Sequence, residues 1–279
     1  PWNAYAKQIK KIVVADGITD IGNYAFYNLQ KATAIELADS VKVLGTQFIR
    51  GTAITEVTLP AVERLREQAF ARADSLTVIN ANESVKDIQG KVFFSETLTV
   101  KAPSDSYFAK YVEGFAGFYD TTATITFEST GTASAPINYF GKTGDDCFYA
   151  VYQKSGSEWR YEISGKGRMK NFPYVSNKSI AAGVRFTPTY YMNGLERNIL
   201  TAKVYDGVTT LGNYAFYLCT KVTSIELHDG ITNIGLRPSF ENEDLRSETC
   251  ILGFSGDLYG QEIEVRLMQY LRGEMKFDS

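Results

Sequence analysis

Ile21-Gly22-Asn23-Tyr24-Ala25-Phe26-Tyr27 and Leu211-Gly212-Asn213-Tyr214-Ala215-Phe216-Tyr217 are one heptapeptide but for a single aliphatic exchange. An Asp-Gly turn precedes each copy (Asp16-Gly17, Asp206-Gly207), and an alternating strand follows (Ile35-Glu36-Leu37, Ile225-Glu226-Leu227). Beyond each strand stands a second aliphatic-Gly pair, Leu44-Gly45 or Ile234-Gly235. Self-similarity at this scale marks a repeat architecture and constrains the fold more than any other feature of the chain. One such unit cannot bury its apolar face alone, whereas stacked units bury each other's.

From Ile9 to Ala102 the sequence falls into units of roughly 21 to 23 residues, inside the range for leucine-rich repeats. The predicted strands are Ile12-Val13-Val14, Ile35-Glu36-Leu37, Val57-Thr58-Leu59, Ile79-Asn80-Ala81 and Val100-Lys101-Ala102, each alternating in and out. A turn and a second aliphatic position (Ile21, Leu44, Leu65, Ile88) follow, and a buried aromatic closes each coil at Phe26, Phe48, Phe70 and Phe93. The pattern changes near Leu98. A short helix is expected after Pro103, capped by Ser104 or Asp105, with Tyr107, Phe108 and Tyr111 on one side to cover the last rung.

Three domains follow from this pattern. Residues 1–120 form a first repeat array with a helical C-cap, 121–187 a β-rich connecting segment, and 188–279 a second short array with its own helical cap. Strand-like runs at 123–127, 148–153 and 159–163 occupy the middle segment, with Ser155-Gly156-Ser157 as a hairpin connection. The repeat resumes at Ile199 and runs through Gly235. Ile263, Val265, Leu267, Met268 and Leu271 carry helical spacing, and a short strand is expected at Met275-Lys276-Phe277.

The net charge of −3 and a pI near 5.4 argue against a nucleic-acid partner, which needs a basic stripe. No apolar run is long enough to span a bilayer, and Pro1-Trp2-Asn3-Ala4-Tyr5 has no signal-peptide character. Because the chain opens in mid-pattern, a trimmed N-terminus is expected. Cys147, Cys219 and Cys250 make a poor disulfide framework, and Cys219 aligns with Leu29 as a buried hydrophobe.

No constellation of catalytic residues emerges. His228 sits in a turn after a strand, where the first copy has Ala38. Gly141-Lys142-Thr143 lacks the upstream glycine of a phosphate loop, Pro136 standing in its place. Ser255 lacks the flanks of a nucleophile elbow. The cysteines lack zinc spacing, and the Asp-Gly pairs read as turns and not as calcium ligands. A chain with no enzymatic activity, no cofactor and no metal is therefore expected.

Taken together, the frame Asp-Gly-Ile-Thr-Asp-Ile-Gly-Asn-Tyr-Ala-Phe, the strand and the second Val-x-x-Leu-Gly resemble the BspA-like leucine-rich repeat family of bacterial surface proteins. Ile163-Ser164-Gly165-Lys166-Gly167-Arg168-Met169 is similar to the motif that precedes such arrays in that family. Ile251-Leu252-Gly253-Phe254-Ser255-Gly256, a helix and Phe277 are similar to its terminal cap, and Pro1-Trp2 with Tyr5 to its usual opening. The likeness departs at Leu44–Phe48, one residue short, and at Leu65-Arg66, which lacks the glycine. It implies a right-handed leucine-rich repeat solenoid of α/β type, an extracellular or cell-surface location, and adhesion to a host or bacterial surface protein.

Function is then expected on the concave strand face, whose outward candidates are Lys11, Glu36, Glu56, Thr58, Asn80 and Lys101, with Lys203 and Glu226 in the second array. Glycans are a second class of partner, to be bound by Tyr139, Tyr149, Tyr152, Trp159 and Tyr161 of the β-rich segment. Burial of those aromatics would remove that alternative.

Overall fold

A computed structural model describes residues 3–171, 195–212, 215, 216, 219, 221–228, 230–234 and 251–254. The chain divides into two compact units, Pro1–Ile137 and Asn138–Ser279.

The first unit is a parallel β-solenoid. Its strands run Lys11–Val14 (β1), Asp20–Ile21 (β2), Ala34–Leu37 (β3), Val43–Leu44 (β4), Glu56–Leu59 (β5), Arg64–Leu65 (β6), Val78–Ala81 (β7), Asp87–Ile88 (β8) and Thr97–Ser104 (β9). A helix, α1 (Tyr107–Phe118), and the strand β10 (Thr124–Thr132) complete it. The longer strands stack in parallel as β1 on β3, and as β5, β7, β9 and β10 in one sheet. The short strands form a second parallel sheet, β2-β4-β6-β8, in which Ile21, Leu44, Leu65 and Ile88 lie in register.

The alternation read from the sequence sets the inside. Val57, Leu59 and Ile79 are buried between outward Glu56, Thr58 and Asn80. Threonines at two of the strand starts tie their coil to the one before: Thr33 Oγ1 donates to Lys10 O (3.4 Å) and Thr77 Oγ1 to Thr55 O (3.0 Å). Behind the strands runs an aromatic column. Phe48 and Phe70 stand 5.8 Å apart, Phe70 and Phe93 5.7 Å, and Phe93 and Phe115 5.4 Å, all fully buried. Such ring pairs add about 0.5–1.5 kcal/mol each beyond the area they bury. Phe26 keeps the backbone register, donating its N–H to Phe48 O (2.8 Å), but is only half-buried.

At the turns the backbone enters the left-handed region twice per coil, at Tyr24, Gln47 and Gln68, and again at Asn28, Gly51 and Arg72. The second column donates N–H groups along the stack: Asn28 to Arg50 O (2.8 Å), then Gly51 to Arg72 O (3.2 Å). At Arg72 the next coil offers no carbonyl, and the carboxylate of Glu96, 5 % exposed, takes its place (2.7 Å). The same carboxylate accepts from Phe94 N (2.5 Å) and Ser95 N (3.1 Å). Glu96 thus ends the ladder that the repeats extend.

Two expectations change here. The N-cap of α1 is Ser106, whose extended backbone lets its hydroxyl accept from Ala109 N (3.3 Å); Asp105, at φ 62°, is left-handed. Nor does α1 end the stack. It adds Phe115 to the aromatic column and Tyr111, whose hydroxyl donates to Gly90 O (2.8 Å), after which β10 pairs in parallel with β9. So β10, past the boundary read at 120, is one more rung of the first unit. Among the described residues α1 is the one α-helix; the expected second cap, 261–272, and the strand at 275–277 lie outside them, as does Cys250.

The second unit begins with β11 (Ile137–Lys142), β12 (Gly144–Ser155) and β13 (Glu158–Met169). The hairpin turns at Gly156, whose φ of 50° favours glycine. After the short 3-10 turn Leu195–Asn198 come β14 (Ile199–Val204), β15 (Val208–Leu211), β16 (Ser224–Leu227), β17 (Asn233–Ile234) and β18 (Ile251–Phe254). β12 and β13 are antiparallel, whereas β13, β14, β16 and β18 pair in parallel. The hairpin therefore supplies the first rung of these coils and does not stand apart from them as a connecting segment. Thr223 Oγ1 donates to Leu200 O (3.2 Å) and Thr232 Oγ1 to Thr209 O (3.1 Å), the coil-to-coil tie of the first unit again. Cys219 is fully buried, as Leu29 is in the first copy. The core also takes in Cys147, Tyr161, Ile163, Val204, Phe216 and Ile225.

Candidate functional site

Six of the expected side chains stand at outward positions of the long strands of the first unit. Lys11 is the register partner of Ala34 and Val13 of Glu36, while on β5, β7 and β9 Glu56, Val78 and Thr99 occupy one column and Thr58, Asn80 and Lys101 the next. Lys11 Nζ meets Glu36 at 2.5 Å, Asn80 Nδ2 donates to Glu56 Oε1 at 2.5 Å, and Lys101 Nζ meets Glu128 of β10 at 3.2 Å. Two of the three contacts are thus ion pairs and the third joins a carboxylate to an amide, and both members of the Lys11–Glu36 pair are more than half exposed. Exposed pairs of this kind contribute little to stability, typically under about 1 kcal/mol. They leave the face polar, with Val13 as an exposed apolar side chain (62 %) beside them.

Lys203 and Glu226 are brought together in the second unit, but inside a network that the sequence reading missed. Arg160 Nε donates to Glu162 Oε1 (2.8 Å), and the hydroxyls of Tyr152 (2.9 Å) and Tyr205 (3.2 Å) donate to the two oxygens of the same carboxylate. Arg160 also meets Glu226 (3.4 Å), whose other oxygen meets Lys203 (3.4 Å). Burial, with the Glu162 carboxylate beside it, holds the Tyr152 hydroxyl protonated far above the ordinary tyrosine range. Burial lowers the Arg160 pKa, but the charges of Glu162, Tyr152 and Glu226 outweigh it and raise the value. Glu162 is 4 % exposed, so the network holds strands together and presents little to a ligand. The spacing Arg160-x-Glu162, Lys203-x-Tyr205 was the available signal, since i and i+2 share one face of a strand.

The five aromatics of the middle segment share no common exposed stacking platform. Tyr161 is fully buried, with its pKa driven well up by burial and by the neighbouring Cys219 and Tyr149. Tyr139, Tyr149 and Trp159 pack against the core, and Tyr152 is half-buried in the network above. Of these, Trp159 borders a groove of about 380 Å3 together with Gln153, Ser157, Asn198, Leu200 and Lys221. His228 serves its turn: Nδ1 accepts from Gly230 N (3.0 Å), and Nε2 lies 2.9 Å from Val208 O. No helix among the described residues is long and apolar enough to cross a membrane.

Comparison with known proteins gives two signals. Residues 178–279 match the family model Flavokinase, riboflavin kinase. The chain is 33% identical over 147 residues to the trifunctional protein RibF/MnmA of Mycoplasmoides gallisepticum, covering 48% of this chain but only 22% of that protein. It is 27% identical over 113 residues to riboflavin kinase of Homo sapiens, covering 40% of this chain and 72% of that protein. These matches overturn the expectation of a chain without an enzyme domain. That expectation rested on the lack of a recognisable catalytic constellation in a chain read as repeats, and the described part of the matched span does contain repeat coils, β14 to β17. Among solved structures, a leucine rich cell surface protein from Faecalibacterium prausnitzii aligns at 16% identity over 84% of this chain and 70% of that one, TM-score 0.28. A leucine-rich repeat protein from Eubacterium ventriosum aligns at 15% over 85% and 68%, TM-score 0.25. Scores this low carry no argument about the arrangement of this chain. Residues 4–108 match the model of the BspA type leucine rich repeat region in six copies, with the strands, ties and aromatic column described above. The repeated part of the chain, residues 4–108, belongs to the BspA-type leucine-rich repeats.

Proposed function

We propose that the first unit is a recognition surface for a protein partner, read by shape across the outward columns that carry Lys11, Glu36, Glu56, Thr58, Asn80 and Lys101. The observation that carries this reading is the in-register sheet face: stacked coils fix these side chains before any partner arrives, so little ordering entropy is lost on binding. Adhesion, with the partner on a host or bacterial surface and the repeats exported, is what the repeat family implies. The test is retention of surface proteins on the immobilised full chain, compared with a variant carrying Glu36→Ala, Glu56→Ala and Asn80→Ala. The reading fails if nothing is retained, or if the triple variant retains the same proteins equally well.

A second activity rests on the family match over 178–279. We propose that this part of the chain phosphorylates riboflavin. Because the chain spans 22% of the trifunctional relative, none of that protein's other activities is carried over. Incubation of the full chain with riboflavin and magnesium-ATP, followed by chromatography of the flavins, should show riboflavin monophosphate; unconverted riboflavin would reject the activity. The two readings imply different compartments, since nucleoside triphosphates are held within the cell. Protease treatment of intact cells separates them: loss of the first unit from the chain places it outside.

A further inference from the structure

Where the β12–β13 hairpin turns, the Leu195–Asn198 turn and the start of β14 stand beside it, leaving the groove bordered by Trp159. Its volume of about 380 Å3 lies near the low end of small-molecule sites, about 300–1,000 Å3. That suits a single ring better than an extended chain. Trp159 is half-buried and packs partly on the core, so its indole is held in place while it borders the groove. An aromatic face carries partial negative charge and suits the C–H face of a saturated, hydroxylated ring.

The rest of the border supplies groups that pair with hydroxyls. Gln153 and Asn198 carry carboxamides and Ser157 a hydroxyl, each able to donate and to accept. Lys221 adds a positive charge. Its ammonium donates to Asn198 Oδ1 (3.1 Å), and with three donors it can hold that oxygen and an anionic group together. Aromatic face, dual donor-acceptors and one cation in a single-ring volume define a ligand chemistry.

We propose that this groove binds an acidic sugar of the hexuronate class, its ring against Trp159 and its carboxylate at Lys221. The site lies wholly within the second unit and is independent of protein recognition by the first. Trp2 and Trp159 are the two tryptophans of the chain, so a full-length Trp2→Phe protein reports on the groove by fluorescence. Titration with glucuronate should give a saturable change in the millimolar range, with glucose at least tenfold weaker at matched ionic strength. Lys221→Gln should bring glucuronate down to the glucose level. Asn198→Leu, which leaves the core untouched, should weaken both about tenfold. No saturable response to glucuronate, equal responses to the two sugars, or indifference to Lys221→Gln would each overturn the proposal.

Discussion

Replacing Glu96 by alanine should loosen the end of the first unit, and the size of the effect can be worked from its contacts. The carboxylate is 5 % exposed and accepts from three backbone N–H groups, those of Arg72, Phe94 and Ser95. A buried donor stripped of its partner costs about 1–3 kcal/mol. Arg72, Phe94 and Ser95 are themselves exposed residues, so water recovers part of each bond and the lower end applies. About 1 kcal/mol for each of three bonds gives about 3 kcal/mol for Glu96→Ala. Glu96→Gln keeps one acceptor oxygen but turns a donor toward donors, and should cost about 1–2 kcal/mol. Because repeats are coupled mainly to their neighbours, the loss is local. Amide exchange of the full chain should quicken at Arg72, Phe94 and Ser95 while the first coils are spared. Glu63, exposed and paired with Lys42 at 3.3 Å, is the control, and Glu63→Ala should change stability by less than about 0.5 kcal/mol. Unchanged exchange at the three amides in Glu96→Ala would refute the capping role.

Phe70→Ala opens the aromatic column between Phe48 and Phe93 and should lower stability by about 3–5 kcal/mol in denaturant unfolding, with Phe70→Leu costing clearly less. Glu83 accepts from the Ser134 hydroxyl (2.6 Å) and amide (2.7 Å), and these bonds, with the Lys86 charge, outweigh burial and hold its pKa below the ordinary value of 4.5. A depressed folded pKa contributes stability above the unfolded value, and that contribution is lost as pH falls through the folded one. Protection of the Ser134 amide, taken as its exchange rate relative to the intrinsic rate at the same pH, should therefore fall on acidification below about pH 4.5. Ser134→Ala should weaken the fastening at neutral pH already and flatten this acid dependence; an unchanged acid profile would contradict it.

The coils were legible because alternation and the aliphatic positions recur in every unit. Val57 and Leu59 face inward for the reason the pattern gave, and Ile21, Leu44, Leu65 and Ile88 fall in register as their spacing required. What the pattern could not carry is chemistry that depends on a single coil. Glu96 reads as one more charged residue until its carboxylate is seen completing a ladder of amides. Ser106 caps α1 because Asp105 takes a left-handed turn that no local preference announced. At the other end of the chain, helical spacing and a Gly-Phe-Ser-Gly sequence suit a repeat cap, and that fit hid the likeness of 178–279 to the riboflavin kinase family model. The outward positions were legible, since Lys11 to Lys101 do occupy them. Their pairing of charges was not, because pairing depends on register between strands far apart in sequence.

The central claim is that neighbouring strands of the first unit lie in parallel, in one fixed register, with alternate residues outward. Thr58 and Asn80 are register partners on β5 and β7, and Asn80 is in turn the partner of Lys101 on β9. Adjacent strands lie about 4.8 Å apart and next-but-one strands about 10 Å, and a disulfide needs Cα atoms within about 7 Å. In a full chain carrying Cys250→Ser, the pair Thr58→Cys and Asn80→Cys should cross-link under mild oxidation, whereas Thr58→Cys with Lys101→Cys should stay reduced. Cross-linking of the second pair and not the first would contradict the stacked coils on which the recognition surface depends.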